Sequence, residues 1–236
     1  MNESSNAPVY DSTPPTPEPF YQTWIKAITK PNEQTFAEIA NSPDAGPNKA
    51  YLWVFLSSLA SFFLVALAST LFGASSQYGV DISSAMGSSV IALLCAAPIG
   101  AAVMVLFFAL DIAIIQWVAK MFKGTGSYNQ LVYAVAAFSA PISLVSGVIS
   151  SLSTIPYIGL CFSVISFGVG IYAIVLMVMA VKGVNKFGWG EAVGSVLLPG
   201  IVIGLLCGCL VIGILMLLGP VIGDVFSTIN QSLGGY

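Results

Sequence analysis

Five long apolar segments, separated by short polar stretches, dominate the pattern of residues along this chain. A helix that crosses a bilayer needs about 20 consecutive apolar residues, and each of the segments meets that length. They are Tyr51–Phe72, Val90–Phe122, Gln130–Leu152, Pro156–Val181 and Ala192–Leu218. The pattern therefore predicts an all-α integral membrane protein with five transmembrane helices.

The second segment is longer than a bilayer requires. At about 1.5 Å per residue it would reach about 50 Å, against a hydrocarbon core of about 30 Å. A proline inside a helix removes a backbone hydrogen bond. We therefore expect a break or a sharp tilt near Ala97–Gly100, which includes Pro98.

Two short amphipathic helices are predicted before the first span. Phe20, Trp24 and Ile28 recur at every fourth residue and so share one helical face, and Pro31 ends that helix. A second short helix fits "PNEQTFAEIA". Both are too short to cross a bilayer. The segment either lies in the membrane interface with Phe20, Trp24 and Ile28 as anchors, or caps the inner end of its own bundle.

The composition is that of a chain surrounded by lipid. It is 57% hydrophobic and 7% charged, whereas soluble domains carry about 25% charged residues. Lysine supplies all of the basic residues and forms no cluster, so a nucleic-acid partner is not expected. Histidine, the commonest general base, is absent, and no phosphate-binding loop or nucleophile elbow is found. We expect no enzymatic activity, metal or cofactor, and interpret the four cysteines, all in apolar runs, as packing residues.

The lysines predict the orientation of the chain. All seven lie before the first span, at or just after the end of the second, or after the fourth. Lysine and arginine near the ends of spans are retained on the cytoplasmic side. The N-terminus is therefore predicted to be cytoplasmic and the C-terminus outside. The expected regions are a disordered tail at 1–19, an amphipathic segment at 20–48, a membrane domain at 49–218 and an external tail at 219–236.

Asp111 lies well inside the second predicted span. A charge at the centre of a bilayer costs about 2.5–3.5 kcal/mol on insertion scales, so we expect Asp111 to face the bundle. Its role is either a structural polar contact, with Ser139, Ser143 or Tyr172 as neutral partners, or an ion or substrate site.

Gly200, Gly204 and Gly208 recur at every fourth residue of the fifth predicted span. Small residues on one face let another membrane helix approach closely. The glycines either pack within the bundle or form a docking face for a second copy or another membrane protein.

Three stretches of the chain form recognisable motifs. They are "WIKAITKPNEQTFAEI" at Trp24–Ile39 followed by "KAYLWVF", "FKGTGSYNQLVYAVAAFSAPISLVS" at Phe122–Ser146, and "IYAIVLMVMAVKGVNKFGWGEAV" at Ile171–Val193. These stretches resemble prokaryotic members of the Yip family. The resemblance implies five spans, an inner N-terminus and, from the "PNEQTF" form, a bacterial cytoplasmic membrane. Eukaryotic members bind Rab-type GTPases, but their binding motifs are not found here.

Two functions follow from these observations. The first is a non-enzymatic membrane protein that organises, stabilises or assembles partner membrane proteins, or shapes the bilayer, through helix–helix contacts. Its partners would be the lipid bilayer and another membrane protein or a second copy of the chain. The alternative is a small transporter or channel with Asp111 in its pathway.

Overall fold

Helices make up the part of the chain that the structure describes. The computed structural model describes residues 19–69, 82–153 and 159–233. Within these ranges the chain forms seven α-helices. They are α1 (Phe20–Thr29), α2 (Glu33–Ala40), α3 (Pro47–Ala68), α4 (Ile82–Met121), α5 (Tyr128–Ser153), α6 (Gly159–Asn185) and α7 (Trp189–Leu233).

Four predicted spans are confirmed as helices long and apolar enough to cross a membrane. They occupy Pro47–Ala68, Cys95–Met121, Tyr128–Ser153 and Gly159–Asn185. The fifth predicted span lies within α7, which continues as a helix to Leu233. The described apolar stretch of α7, Trp189–Val202, is shorter than the other four. That α7 crosses the membrane therefore stays a prediction.

Helix α4 is continuous through Pro98, so the expected break near Ala97–Gly100 is wrong, while the alternative of a sharp tilt there stays a prediction. A proline removes one hydrogen bond from a helix. A break would free several backbone groups, for which the bilayer core offers no partners.

Helix α5 is the centre of the bundle. Every residue from Leu131 to Phe138 is buried, and these side chains belong to the main hydrophobic core. Residues of α1, α2, α3, α4 and α6 complete that core, among them Phe36, Ile112 and Leu176, which are fully buried. Helices α1 to α4 and α6 therefore pack around α5, whereas α7 packs against α4 and α6.

The two short helices pack against this bundle. The Asn32 side chain caps α2 by accepting a hydrogen bond from the backbone N–H of Thr35 at 2.6 Å. Phe36 of α2 is buried, and its ring lies edge-on to Phe138 of α5 at 5.8 Å between centroids. Both short helices contact α5, and α2 also contacts α6. The predicted tail at 1–19 lies, apart from Pro19, outside the described residues.

One end of the bundle gathers the segments that carry the lysines. Thr125, between α4 and α5, donates its backbone N–H to the carbonyl oxygen of Asn185 at 3.1 Å. Lys182 forms an ion pair with Glu33 of α2. The side chain of Gln130 donates to Oδ1 of Asn41 at 2.8 Å. The lysine-bearing segments thus meet at this end, as the alternation of lysines predicts, while the side of the membrane that it faces stays a prediction.

Candidate functional site

Gly200, Gly204 and Gly208 lie on one exposed face of α7. Four residues turn a helix by about 400°, so each glycine is rotated about 40° from the one before it. A Cβ atom placed on any of them would meet no atom of the described structure within 4 Å. We call these residues the α7 glycine face. In lipid, such a face permits a second helix to approach the backbone closely.

Large apolar side chains flank the α7 glycine face. From Gly200 onward, each α7 residue whose side chain the structure describes is exposed. Ile201 and Leu205 are 60% and 65% exposed. A surface of this kind needs either lipid or another apolar helix against it.

Close packing at a glycine within the bundle is found elsewhere, between α3 and α5. A Cβ on Gly147 would lie 2.8 Å from Oγ of Ser61 and 3.0 Å from its Cα. Oγ of Ser61 also donates to the carbonyl oxygen of Ser143 at 2.8 Å. The α7 glycine face has no comparable contact among the described residues. The interpretation that these glycines pack inside their own bundle therefore has no support among the described residues.

Asp111 is exposed on α4, so the expectation that it faces the bundle is wrong. The bundle side of this turn is filled by Ile112 and Ile115, which are buried. The expected polar partners are engaged elsewhere: Ser143 donates to the carbonyl oxygen of Ala140 at 2.8 Å, and Tyr172 donates to that of Ile28 at 2.6 Å. Oγ of Ser139 is buried and has no hydrogen-bond partner within the described structure.

Trp24 and Ile28 of α1 face the bundle. The Trp24 ring lies edge-on to the Trp53 ring of α3, at 5.8 Å between centroids. Ile28 packs against the main core, and its carbonyl oxygen accepts the hydrogen bond from Tyr172 of α6. Two of the three predicted anchors thus hold α1 on its own bundle.

Phe20 is the predicted anchor that remains exposed. Its ring contacts the Trp24 ring at 5.3 Å, and the residue is 53% exposed. Tyr21 and Ile25 are exposed beside it. The apolar surface that α1 offers to a membrane interface therefore consists of Phe20, Tyr21 and Ile25, and its contact with lipid stays a prediction.

A buried polar cluster, which the sequence reasoning missed, lies where α4 and α6 end. Gln116 and Asn185 are buried there. The loop between α4 and α5 lies very close to the end of α6. A Cβ on Gly124 would lie 2.6 Å from Oδ1 of Asn185, and a Cβ on Gly126 would lie 2.6 Å from Cγ1 of Val184. The glycines in "FKGTGS" were the available signal, because glycine permits close backbone approach.

The described residues contain no group of three or more metal-ligating side chains. Cys95, Cys161 and Cys209 are free and exposed on the helices. The side chain of Cys207 lies outside what the structure describes. The described cysteines thus lie on helix surfaces and not in the core. On such a surface, lipid would suit a small apolar side chain as well as the core would.

Comparison with known protein families identifies one domain in the chain. The model of the Yip1 domain matches residues 25–221. That range includes α2 to α6, half of α1 and most of α7. No curated protein and no solved structure matches the chain.

Proposed function

The chain belongs to the Yip1-domain family, and from this premise we propose that it is a non-catalytic, five-span membrane protein that organises, stabilises or assembles partner membrane proteins. In this proposal its N-terminus is cytoplasmic, its C-terminus is outside, and the membrane is a bacterial cytoplasmic membrane. The partner is bound through a helix–helix contact in the bilayer.

The α7 glycine face is the observation that carries this proposal. A membrane helix gains no hydrophobic driving force from leaving lipid for a neighbouring helix, so its association depends on close packing. Gly200, Gly204 and Gly208 leave the backbone of α7 open on one side. We propose that a transmembrane helix of another membrane protein fills this side.

The proposal also requires α7 to cross the bilayer. The helix has 45 residues, which corresponds to a length of about 68 Å. A hydrocarbon core of about 30 Å is readily crossed by such a helix. Glu191 in its first turn suits the positive end of the helix dipole, and so favours the start of the span at this point.

The test compares two glycines on opposite faces of α7. Gly213 is nine residues from Gly204, which rotates it by about 180°, and a Cβ there would also meet no described atom within 4 Å. Tagged full-length wild-type protein, Gly204→Leu and Gly213→Leu are each isolated from native membranes in mild detergent. We expect wild-type protein and Gly213→Leu to retain a stoichiometric membrane protein that Gly204→Leu loses.

Equal recovery of the same partner by all three proteins would overturn the assignment of the face. Absence of any stoichiometric partner from wild-type protein would overturn the proposed function. Co-isolation of a differently tagged copy, abolished by Gly204→Leu, would identify the occupant of the face as a second copy instead of another membrane protein.

A further inference from the structure

A cavity of about 490 Å³ lies between α2 and the connection from α6 to α7. Its lining includes Glu33 and Gln34 of α2, and Lys182, Lys186 and Phe187 from the other side. It is distinct from the α7 glycine face, because none of the three glycines lines it.

Lys182 is a fixed cation in the wall of this cavity. Its side chain is 14% exposed and forms an ion pair with the carboxylate of Glu33. Its ammonium group also lies 4.3 Å from the centroid of the Trp189 ring, within the range of a cation–π interaction. Lys182 therefore offsets the one acidic side chain in the lining of the cavity.

Lys186 carries a second positive charge at the cavity, and no carboxylate of the described residues pairs with it. It is exposed, and among the described residues no carboxylate lies within 4.0 Å of its ammonium group. Its backbone has a φ of 56°, a conformation that non-glycine residues adopt uncommonly. The cavity thus has one acid, which is paired, and two lysines.

The position of the cavity relative to the span fits a lipid head group. The apolar span of α6 ends at Asn185, one residue before Lys186. Trp189 follows and is 55% exposed, and tryptophan is enriched where membrane spans meet head groups. Basic pockets between membrane helices on the cytoplasmic side are suited to anionic head groups.

We propose that this cavity binds the phosphate of an anionic phospholipid, with the ammonium group of Lys186 as the direct contact. Lys182 adds positive potential while it remains paired with Glu33. The exposed Trp189 ring lies at the level where the glycerol backbone of the lipid enters the apolar region.

Lys123 provides the matched control. Like Lys186, it is exposed, follows the end of a span and has a positive φ, here 64°. It lies on a segment at the same end of the bundle but is not part of the lining of this cavity. Lys186→Gln and Lys123→Gln therefore remove the same charge from equivalent backbone positions.

The experiment measures binding of phosphatidylglycerol to the full-length protein in non-ionic detergent. Native mass spectrometry counts bound lipid and gives its Kd, and thermal unfolding reports the stabilisation. We expect Lys186→Gln to weaken binding about fivefold, which corresponds to the roughly 1 kcal/mol that one lysine contributes near an anionic membrane surface. Lys123→Gln should stay within about twofold of wild-type protein.

Parallel samples receive phosphatidylcholine or inorganic phosphate at the same concentration. Stabilisation by phosphatidylglycerol that neither reproduces supports the proposal. An equal effect of phosphatidylcholine, an equal effect of inorganic phosphate, equal losses in the two lysine variants, or no binding of phosphatidylglycerol would each overturn it. Neither variant alters the α7 glycine face, so failure here leaves the proposed function standing.

Discussion

Gln116 of α4 and Asn185 of α6 form a reciprocal pair of carboxamide hydrogen bonds. Nε2 of Gln116 donates to Oδ1 of Asn185 at 3.0 Å, and Nδ2 of Asn185 donates to Oε1 of Gln116 at 3.2 Å. The second hydrogen of Gln116 goes to the carbonyl oxygen of Gly126 at 2.8 Å. Since both side chains are buried, the pair fixes the ends of two spans and the loop between α4 and α5 relative to one another.

Replacing Asn185 with Leu should destabilise the protein by about 1–3 kcal/mol, because the buried carboxamide of Gln116 would lose a partner. Thermal unfolding in detergent measures the effect. The double variant Gln116→Leu, Asn185→Leu should lose less than the sum of the two single losses, because it removes both members of the pair. Additive losses would show that the two side chains act independently.

Gly183→Ala should destabilise the packing of α2 on α6. A Cβ on Gly183 would overlap the carbonyl oxygen of Glu33, so α2 would have to move away. Gly170→Ala is the control, since it lies in the same helix and a Cβ there would meet no described atom within 4 Å. Unfolding should occur at a lower temperature for Gly183→Ala and at an unchanged or slightly higher one for Gly170→Ala.

The same shift in both variants would contradict the close approach of α2 to α6. Proteolysis offers an independent measurement of this contact. We expect the linker around Pro31 to be cleaved faster in Gly183→Ala than in Gly170→Ala, because detachment of α2 exposes its backbone.

Asp111→Asn should leave folding and complex formation unchanged. Asp111 is an exposed residue and has no ion-pair partner among the described residues, so the substitution removes no ion pair of the described structure. The elution profile and melting temperature in detergent check this. Loss of an ion flux in vesicles, with the variant still folded, would instead support a transporter with Asp111 in its pathway.

The sequence was sufficient to predict the helices that depend on the length and period of apolar runs. α3, α5 and α6 differ from the predicted spans by a few residues at each end, and α1 and α2 flank Pro31 as expected. Each of these features can be read from a short stretch of sequence, because the bilayer sets the length of an apolar run that can span it and proline ends a helix.

Contacts between distant residues were not predictable in this way. Gln116 and Asn185 are 69 residues apart, and no local pattern indicates that their side chains meet. The prediction that Asp111 faces the bundle failed for the same reason. The energetic cost of a charge in lipid follows from the residue alone, but the partners available to it depend on how the helices pack. In the packed bundle, Ser143 and Tyr172 donate to backbone carbonyl oxygens instead. The spacing of the α7 glycines predicts a common face but says nothing of what covers it.

The orientation of the chain gives a prediction that labelling can test. In a variant without native cysteines, a cysteine at Lys123 should be protected from a membrane-impermeant maleimide in intact cells and labelled after permeabilisation. A cysteine appended after Tyr236 should be labelled in intact cells, because an odd number of spans separates the two positions. Labelling of both positions on the same side would exclude α7 as a fifth span.

Photo-cross-linking from α7 in native membranes tests the central claim, that the α7 glycine face holds a partner helix, without the use of detergent. Ile201 and Val202 are adjacent in the chain, and both are exposed, at 60% and 46%. Around the helix, Ile201 lies about 60° from Gly204, whereas Val202 lies about 160° from it. A photoreactive residue at Ile201 should yield one discrete protein adduct, and the same residue at Val202 should yield lipid adducts alone. Protein adducts of equal yield from both positions, or lipid adducts alone from Ile201, would contradict the claim.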